Sequence, residues 1–524
     1  MPPLLPLLSR RTLLATAAGA ALAPALPGDA VAAQGLAEGT AFDFDALATQ
    51  MQARSAGDYA PPERLEGFAG ELDYDGWRRI RFDPDATRWH RGPGRAFGLQ
   101  AFHPGWLFGD PVRLYDVTDG NVREMIFAAD DFLYDPEMAQ PDPGPLPGVA
   151  GFRLLWPLNT PDRQDEVAAF LGASYFRALG QGSTYGISAR GLALDTALGG
   201  AEEFPRFTAF YLQRPAEGEE AVTFFAALDS PRVTGAYRFV LRPGPATAMD
   251  VTARLFFRGD VDHVGVAPLT SMFLYDAKNR AGFDDFRPRV HDSEGLAVLG
   301  VDGVPLWRPL NNPDRLANTF LTDPVARFGL HQRDRSFDSY LDTEARYDRR
   351  PSLDVVPLGD WGPGAVRLVE IPTALETNDN IVAFFVPGDG SAAAGEARSY
   401  AYRLLWGDLA GAAGDGLARV TATSAGHGGF AGVEPVPDLR KFVVVFAGPG
   451  LPASDTPARP EAVVTCERGE VRGQVLDALP DGTSWRLVLD VHAPPGSVVE
   501  LTAHLAGGAQ RLTETWVYQW VHAA

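Results

Sequence analysis

The stretch Val222-Thr-Phe-Phe-Ala-Ala-Leu228, Asp229-Ser-Pro-Arg-Val-Thr-Gly235, Ala236-Tyr-Arg-Phe-Val-Leu241 sets two short apolar runs around a polar break. Aromatic and β-branched residues fill the runs while proline and glycine mark the break, so the stretch predicts a β-hairpin. The pattern recurs at 366–371 and 381–386, again around a polar connection. With 56 Gly and 43 Pro punctuating many short runs, the chain reads as mainly β. Two short helices are expected. Asp43 can cap one with Phe44, Leu47 and Met51 on one face, and Thr160-Pro161-Asp162 can start another that runs to about Leu171.

The segment Gly388-Asp-Gly-Ser-Ala-Ala-Ala-Gly-Glu-Ala-Arg398 is small and polar, and predicts an exposed linker at 388–399. After it, apolar strand candidates return at 400–406, 441–447, 462–466, 485–491, 498–505 and 515–520. Their spacing predicts a small immunoglobulin-like β-sandwich over 400–524. Residues 40–387 are too many for one such unit, and a large β-sandwich is the simplest architecture for them.

Composition narrows the function. The formal charge is −21, whereas phosphate backbones and anionic lipids attract clustered Lys and Arg, so no nucleic-acid partner is expected. Residues 9–14, Ser-Arg-Arg-Thr-Leu-Leu, precede a mild apolar stretch at 15–26 and small residues at 30–33, the order of a twin-arginine signal peptide over 1–32. Those residues carry Arg10, Arg11 and Asp29, so the processed chain has a charge of −22. The apolar part is too short to span about 30 Å of hydrocarbon, no later run of eighteen apolar residues follows, and no membrane insertion is expected. Export of a folded protein to the periplasm is the implied route.

Cys466 is the one cysteine, which excludes an internal disulfide. The nine histidines are scattered, and motifs of serine hydrolases, P-loop proteins, zincins and EF-hands are absent, so neither metal nor cofactor is expected. Carboxylates, arginines and aromatics remain, the set that suits a sugar-binding cleft: rings stack on pyranose faces and charged groups bond hydroxyls. Two acidic segments stand out, Val290-His291-Asp292-Ser293-Glu294 and Glu376-Thr377-Asn378-Asp379-Asn380. Asn-Asp-Asn is also ordinary turn chemistry, and His291-Asp292 also reads as a surface turn. Tyr347, Trp361, Trp307 and Arg308 are nearby in sequence and are of types that serve more often as core or strand neighbours than as ligand contacts.

Specific segments run nearly end to end that resemble the MdoG/MdoD (OpgG/OpgD) family of periplasmic glucan biosynthesis proteins. They include Tyr185-Gly-Ile-Ser-Ala-Arg-Gly-Leu-Ala-Leu-Asp-Thr196, Trp307-Arg-Pro-Leu-Asn-Asn-Pro313, Glu370-Ile-Pro-Thr373 and Glu514-Thr-Trp-Val-Tyr-Gln519. The signal peptide, with Arg419-Val-Thr-Ala-Thr423 and Gly426-His-Gly-Gly-Phe430, looks more like the D branch. The resemblance implies a galactose-mutarotase-like β-sandwich followed by the immunoglobulin-like one, and a role in osmoregulated periplasmic glucans with a β-1,2-linked glucose backbone.

It also implies an inverting β-1,2-glucanase or a transglycosylase, with Asp379 as general acid, Asp292 as base, Glu376 as a further carboxylate and Tyr347 in the cleft. His291, Trp361, Trp307 and Arg308 join Glu376 and Tyr347 as candidate glucan contacts. A raised pKa is expected of Asp379, from burial or from the like charge of Glu376. Some relatives carry an aromatic shortly after the segment ending at Phe430, where this chain has Ala431-Gly-Val-Glu-Pro435, so hydrolysis and transfer both stay open. The rival is a non-catalytic glucan-binding or assembly protein, and a homodimer is a candidate assembly for either.

Overall fold

Strand Val222–Asp229 pairs antiparallel with Val233–Arg242, placing Phe224 opposite Phe239 and realising the predicted hairpin. The computed structural model describes residues 41–89, 96–321, 325–409, 416–430, 432 and 434–523. The signal-peptide reading of 1–32 falls outside them. The hairpin sits within a long sheet, between strands Arg206–Gln213 and Thr247–Phe257. A second large sheet runs from Gly98–Phe102 to Ala317–Leu321 and includes the pair Gly364–Glu370 and Ile381–Pro387.

Alternation gives each strand one apolar face, and the two faces meet. Phe152 and Phe170 of one sheet pack edge-on against Phe210 and Phe224 of the other, at centroid distances of 4.9 and 5.2 Å. A mainly β sandwich is therefore the architecture of the first part. Helix Phe44–Ser55, capped by Asp43 through Ala46 N at 2.7 Å, lays Leu47, Ala48 and Met51 on the outer face of the long sheet.

Two expectations are corrected. Residues 165–171 form no helix: strand Asp165–Leu171 lies between Gly151–Trp156 and Tyr175–Ala178. Pro161 belongs to the turn before it, closed by Arg163 N donating to Thr160 O at 3.3 Å.

The 388–399 linker is also misplaced. Strand Ala397–Gly407 is central in the long sheet, paired with Thr247–Phe257 and Ser352–Pro357. The glycines of that segment serve a tight turn, with Gly388, Gly390 and Gly395 at positive φ. The second sandwich begins after Gly407.

Its four-stranded sheet contains Arg419–His427, Leu439–Ala447, Glu470–Ala478 and Trp485–His492. The facing sheet, Glu461–Glu467, Val498–Gly507 and Thr515–Val521, continues the long sheet through a parallel pairing of Trp307 with Trp516. Phe442, Leu487 and Leu489 close this second core against Leu501, Trp516 and Tyr518. The two sandwiches thus share one sheet. No helix of the described residues is long and apolar enough to cross a membrane.

Candidate active site

Three strands converge on Ser271-Met272-Phe273. Strand Val264–Ser271 pairs with Ile381–Pro387 so that Ser271 faces Ile381, and with Ser188–Arg190 so that Thr270 faces Ser188. Two residues farther on, Phe273 pairs with His291. Asp379 precedes Ile381 by two residues and Asp292 follows His291, so the register hangs both acidic segments from one short piece of chain.

Hydrogen bonds fix each segment to that piece. Asp292 N donates to Met272 O at 2.8 Å, and the hydroxyls of Ser271 and Ser293 lie 2.6 Å apart. On the other side, Asn380 Nδ2 donates to Phe273 O and Ile371 O at 2.9 and 3.0 Å, while its Oδ1 accepts from Phe273 N at 2.8 Å. The Glu376–Asp379 loop is held further by Asn312, which bonds Leu274 O and both backbone groups of Thr373. Asn380 therefore uses its amide in a backbone-like role, while Asp379 beside it is half-buried.

Around Asp292 the setting is closed. Asp292 is 4% exposed, and its carboxylate faces Arg350 Nε at 3.3 Å. The same guanidinium lies over the ring of Tyr347, 5.3 Å from its centroid. Burial, then the charges of Asp292 and Glu376, hold the Tyr347 phenol far above its usual pKa despite Arg350 and Arg287. It stays a proton donor throughout the physiological range.

Glu376 accepts from Arg287 Nη2 at 2.8 Å. Arg287 also grips Asp285 through two nitrogens and Asp342 at 2.8 Å. One cation thereby ties together three loops and is the ion-pair partner of Glu376. Asp379 lies in the field of Arg190, a buried cation that bonds Thr270 and Glu202 and covers the ring of Tyr175. Burial opposes the Arg190 charge, but Tyr175, Glu202 and Asp379 hold its pKa above the ordinary value.

Asp379, Asp292, Glu376 and Tyr347 are thus brought to one region. The other four candidates have structural settings. His291 is fully buried, stacked on Phe273 at 5.3 Å and edge-on to Tyr340. Burial lowers its pKa to about 3, so the ring is neutral and Nδ1–H donates to Gln332 Oε1 at 3.0 Å.

Trp307 belongs to the second core, under Arg333 at 3.5 Å. It lies so close to Gly295 that a Cβ there would meet Cζ2 at 2.3 Å. Arg308 is fully buried and donates to Glu370 at 2.8 Å, and Asn311 N donates to the same carboxylate at 2.6 Å. Trp361 donates to Ala401 O and packs on Phe385, Tyr400 and Tyr402. Trp307–Pro313 and Glu370–Thr373 are scaffold segments that carry the Glu376–Asp379 loop, and local sequence could not separate that role from sugar contact.

Arg190, Arg287, Arg350 and Gln332 were not singled out in the sequence. Two had a usable signal, since Arg190 lies in the Tyr185–Thr196 segment and Arg350 follows Tyr347 by three residues. Residues 431 and 433, after the segment ending at Phe430, fall outside the described residues. Among those described, no group of three or more His, Cys, Asp or Glu is placed to hold a metal ion.

Comparison with known proteins agrees with the segments above. A family model described as "Periplasmic glucan biosynthesis protein, MdoG" matches residues 42–520. A protein named Glucans biosynthesis protein G from Cereibacter sphaeroides is 56% identical over 489 residues, covering 92% of this chain and 89% of that one. Proteins of the same name from Rhodopseudomonas palustris and Ralstonia nicotianae are each 42% identical, covering 98% and 91% of this chain and 100% and 96% of their own. All three carry the G name, whereas the N-terminal segment together with 419–423 and 426–430 looks more like the D branch. With a family match across nearly all the described residues and relatives this similar, the chain belongs to the MdoG family of periplasmic glucan biosynthesis proteins.

Proposed function

We propose that this chain is a periplasmic acid–base enzyme acting on β-1,2-glucan, with Asp379 as general acid and Asp292 as general base. The observation that carries the reading is the register around 271–273, which suspends the two carboxylates from one piece of chain. Cleaving a glycosidic bond requires a proton on the leaving oxygen and an activated acceptor on the opposite face of the sugar. In the proposed reaction Asp379 gives its proton to the bridging oxygen as the C–O bond breaks. A hydroxyl attacks the anomeric carbon with inversion, and its proton passes to Asp292, directly or through one intervening hydroxyl.

Water as acceptor gives hydrolysis, and a hydroxyl of a second glucan chain gives transfer. Tyr347, kept protonated beside Asp292, supplies a donor at the same place. Export by the twin-arginine route would place this chemistry in the periplasm.

The second reading is a glucan holder without chemistry. It draws support from the burial of Asp292 and its pairing with Arg350, both usual for a structural carboxylate. Incubation with linear β-1,2-glucan separates the two: the enzyme reading expects new reducing ends or a changed size distribution, and the holder reading expects bound but unaltered polymer.

A further inference from the structure

The turn that carries Tyr347, residues Tyr347–Arg349, shares no strand pairing with the Val290–His291 strand that carries Asp292. One buried amide spans the gap. Gln332, 1% exposed, follows strand Val325–His331. Its Nε2 donates to Tyr347 O at 3.0 Å and to His291 O at 3.2 Å, and its Oε1 accepts from His291 Nδ1–H at 3.0 Å. The backbone of Gln332 is itself anchored, its N donating to Ser352 Oγ at 3.1 Å. A second donor to Tyr347 O, the backbone N of Arg350 at 3.2 Å, ties the partner of Asp292 to the same carbonyl.

We propose that Gln332 is a positioning residue of the acid–base site, fixing Tyr347 relative to Asp292 through the two carbonyls it binds; this rests on the function proposed above. The amide is matched to the place. A neutral imidazole N–H needs an acceptor, two carbonyls need donors, and glutamine offers both ends in one side chain. A carboxylate would satisfy the imidazole and leave both carbonyls facing an oxygen. An apolar side chain of the same length would satisfy neither.

Those differences define the test. Wild type, Gln332→Met and Gln332→Glu are compared on linear β-1,2-glucan, with thermal unfolding to confirm folding and nitrogen NMR to read the His291 ring. Because a misplacement of about 1 Å can cost on the order of a hundredfold, both variants should lose at least about tenfold in kcat, while KM stays within about threefold. Gln332→Glu should keep the His291 Nδ1–H signal and Gln332→Met should lose it, a distinction that merely weakened packing does not produce. Wild-type kcat in folded Gln332→Met overturns the proposal. If the wild type leaves glucan uncut, the enzyme reading fails separately, and the Tyr347 and His291 resonances of Gln332→Met decide the clamp: displaced signals uphold it and unchanged ones overturn it.

Discussion

Arg350 holds Asp292 and Tyr347 with one guanidinium, its Nε 3.3 Å from the carboxylate and its plane over the phenol ring. Truncating it leaves a buried carboxylate without its cation, a change that favours the protonated acid. Arg350→Met should therefore lower turnover at least about tenfold and move the acid limb of the pH–rate profile to higher pH, because the base must be ionised. An unmoved acid limb in a folded Arg350→Met protein would mean that Asp292 is not the base.

Asn380 satisfies Phe273 N, Phe273 O and Ile371 O at once. Asn380→Ala strands buried backbone groups, and each unsatisfied group costs about 1–3 kcal/mol. Urea unfolding should show a loss of at least that size, and turnover per folded molecule should also fall because Asp379 is the adjoining residue. Lost stability with intact turnover would separate the loop anchor from the chemistry.

Much of the fold was legible because periodicity is a local property. The 222–241 hairpin and the helix after Asp43 follow from apolar spacing together with local turn and capping residues. Thr160-Pro161-Asp162 reads locally as a helix start, whereas the strand identity of Asp165–Leu171 comes from neighbours on both sides. Tyr400, Tyr402, Leu404 and Trp406 alternate clearly, yet nothing local says which sheet they join. At the site, the acidic segments stand out by their context and Arg190 and Arg350 lie in or beside distinctive segments, while Arg287 and Gln332 carry no local signal. Arg287 reaches Glu376 across 89 residues of sequence, and Gln332 reaches His291 across 41. Trp307 and Arg308 stand as candidate sugar contacts in the sequence for the same reason, while their partners lie in the second core and at Glu370.

The Arg308–Glu370 pair is a stability element. Both side chains are buried, and Asn311 N adds a second contact to the carboxylate. Breaking such a pair by removing one partner leaves an uncompensated buried charge, at a cost of about 3–5 kcal/mol. Arg308→Met should lose stability on that scale in denaturant titrations, and Arg308→Met combined with Glu370→Gln should recover part of it. A single variant as stable as wild type contradicts the structural assignment.

Two buried histidines set a pH dependence. Burial lowers His291 to about 3 and His103 to about 4, against about 6.5 in the unfolded chain. Between those values the unfolded chain binds protons that the folded one excludes, so this stability is present above about pH 6.5 and is lost as pH falls. Each group contributes at most about 1.4 kcal/mol per pH unit. Glu294 and Glu370, raised by burial, act with the opposite sign, so the comparison is made against His103→Gln. That variant should lose less stability than wild type between pH 7 and 5, and equal losses in the two proteins would contradict the assignment.

The central claim is that Asp379 delivers a proton to a glucan bond. Asp379→Asn keeps the shape of the side chain and removes the proton, so the direct measurement is turnover of linear β-1,2-glucan by the folded variant, alongside its affinity for the same polymer. The account predicts retained binding with turnover reduced by a factor on the order of a hundred or more. It predicts a comparable loss for Asp292→Asn. Near-wild-type turnover in folded Asp379→Asn protein would contradict the account, leaving Asp379 as a turn residue beside Asn380 and the glucan-holding reading ahead.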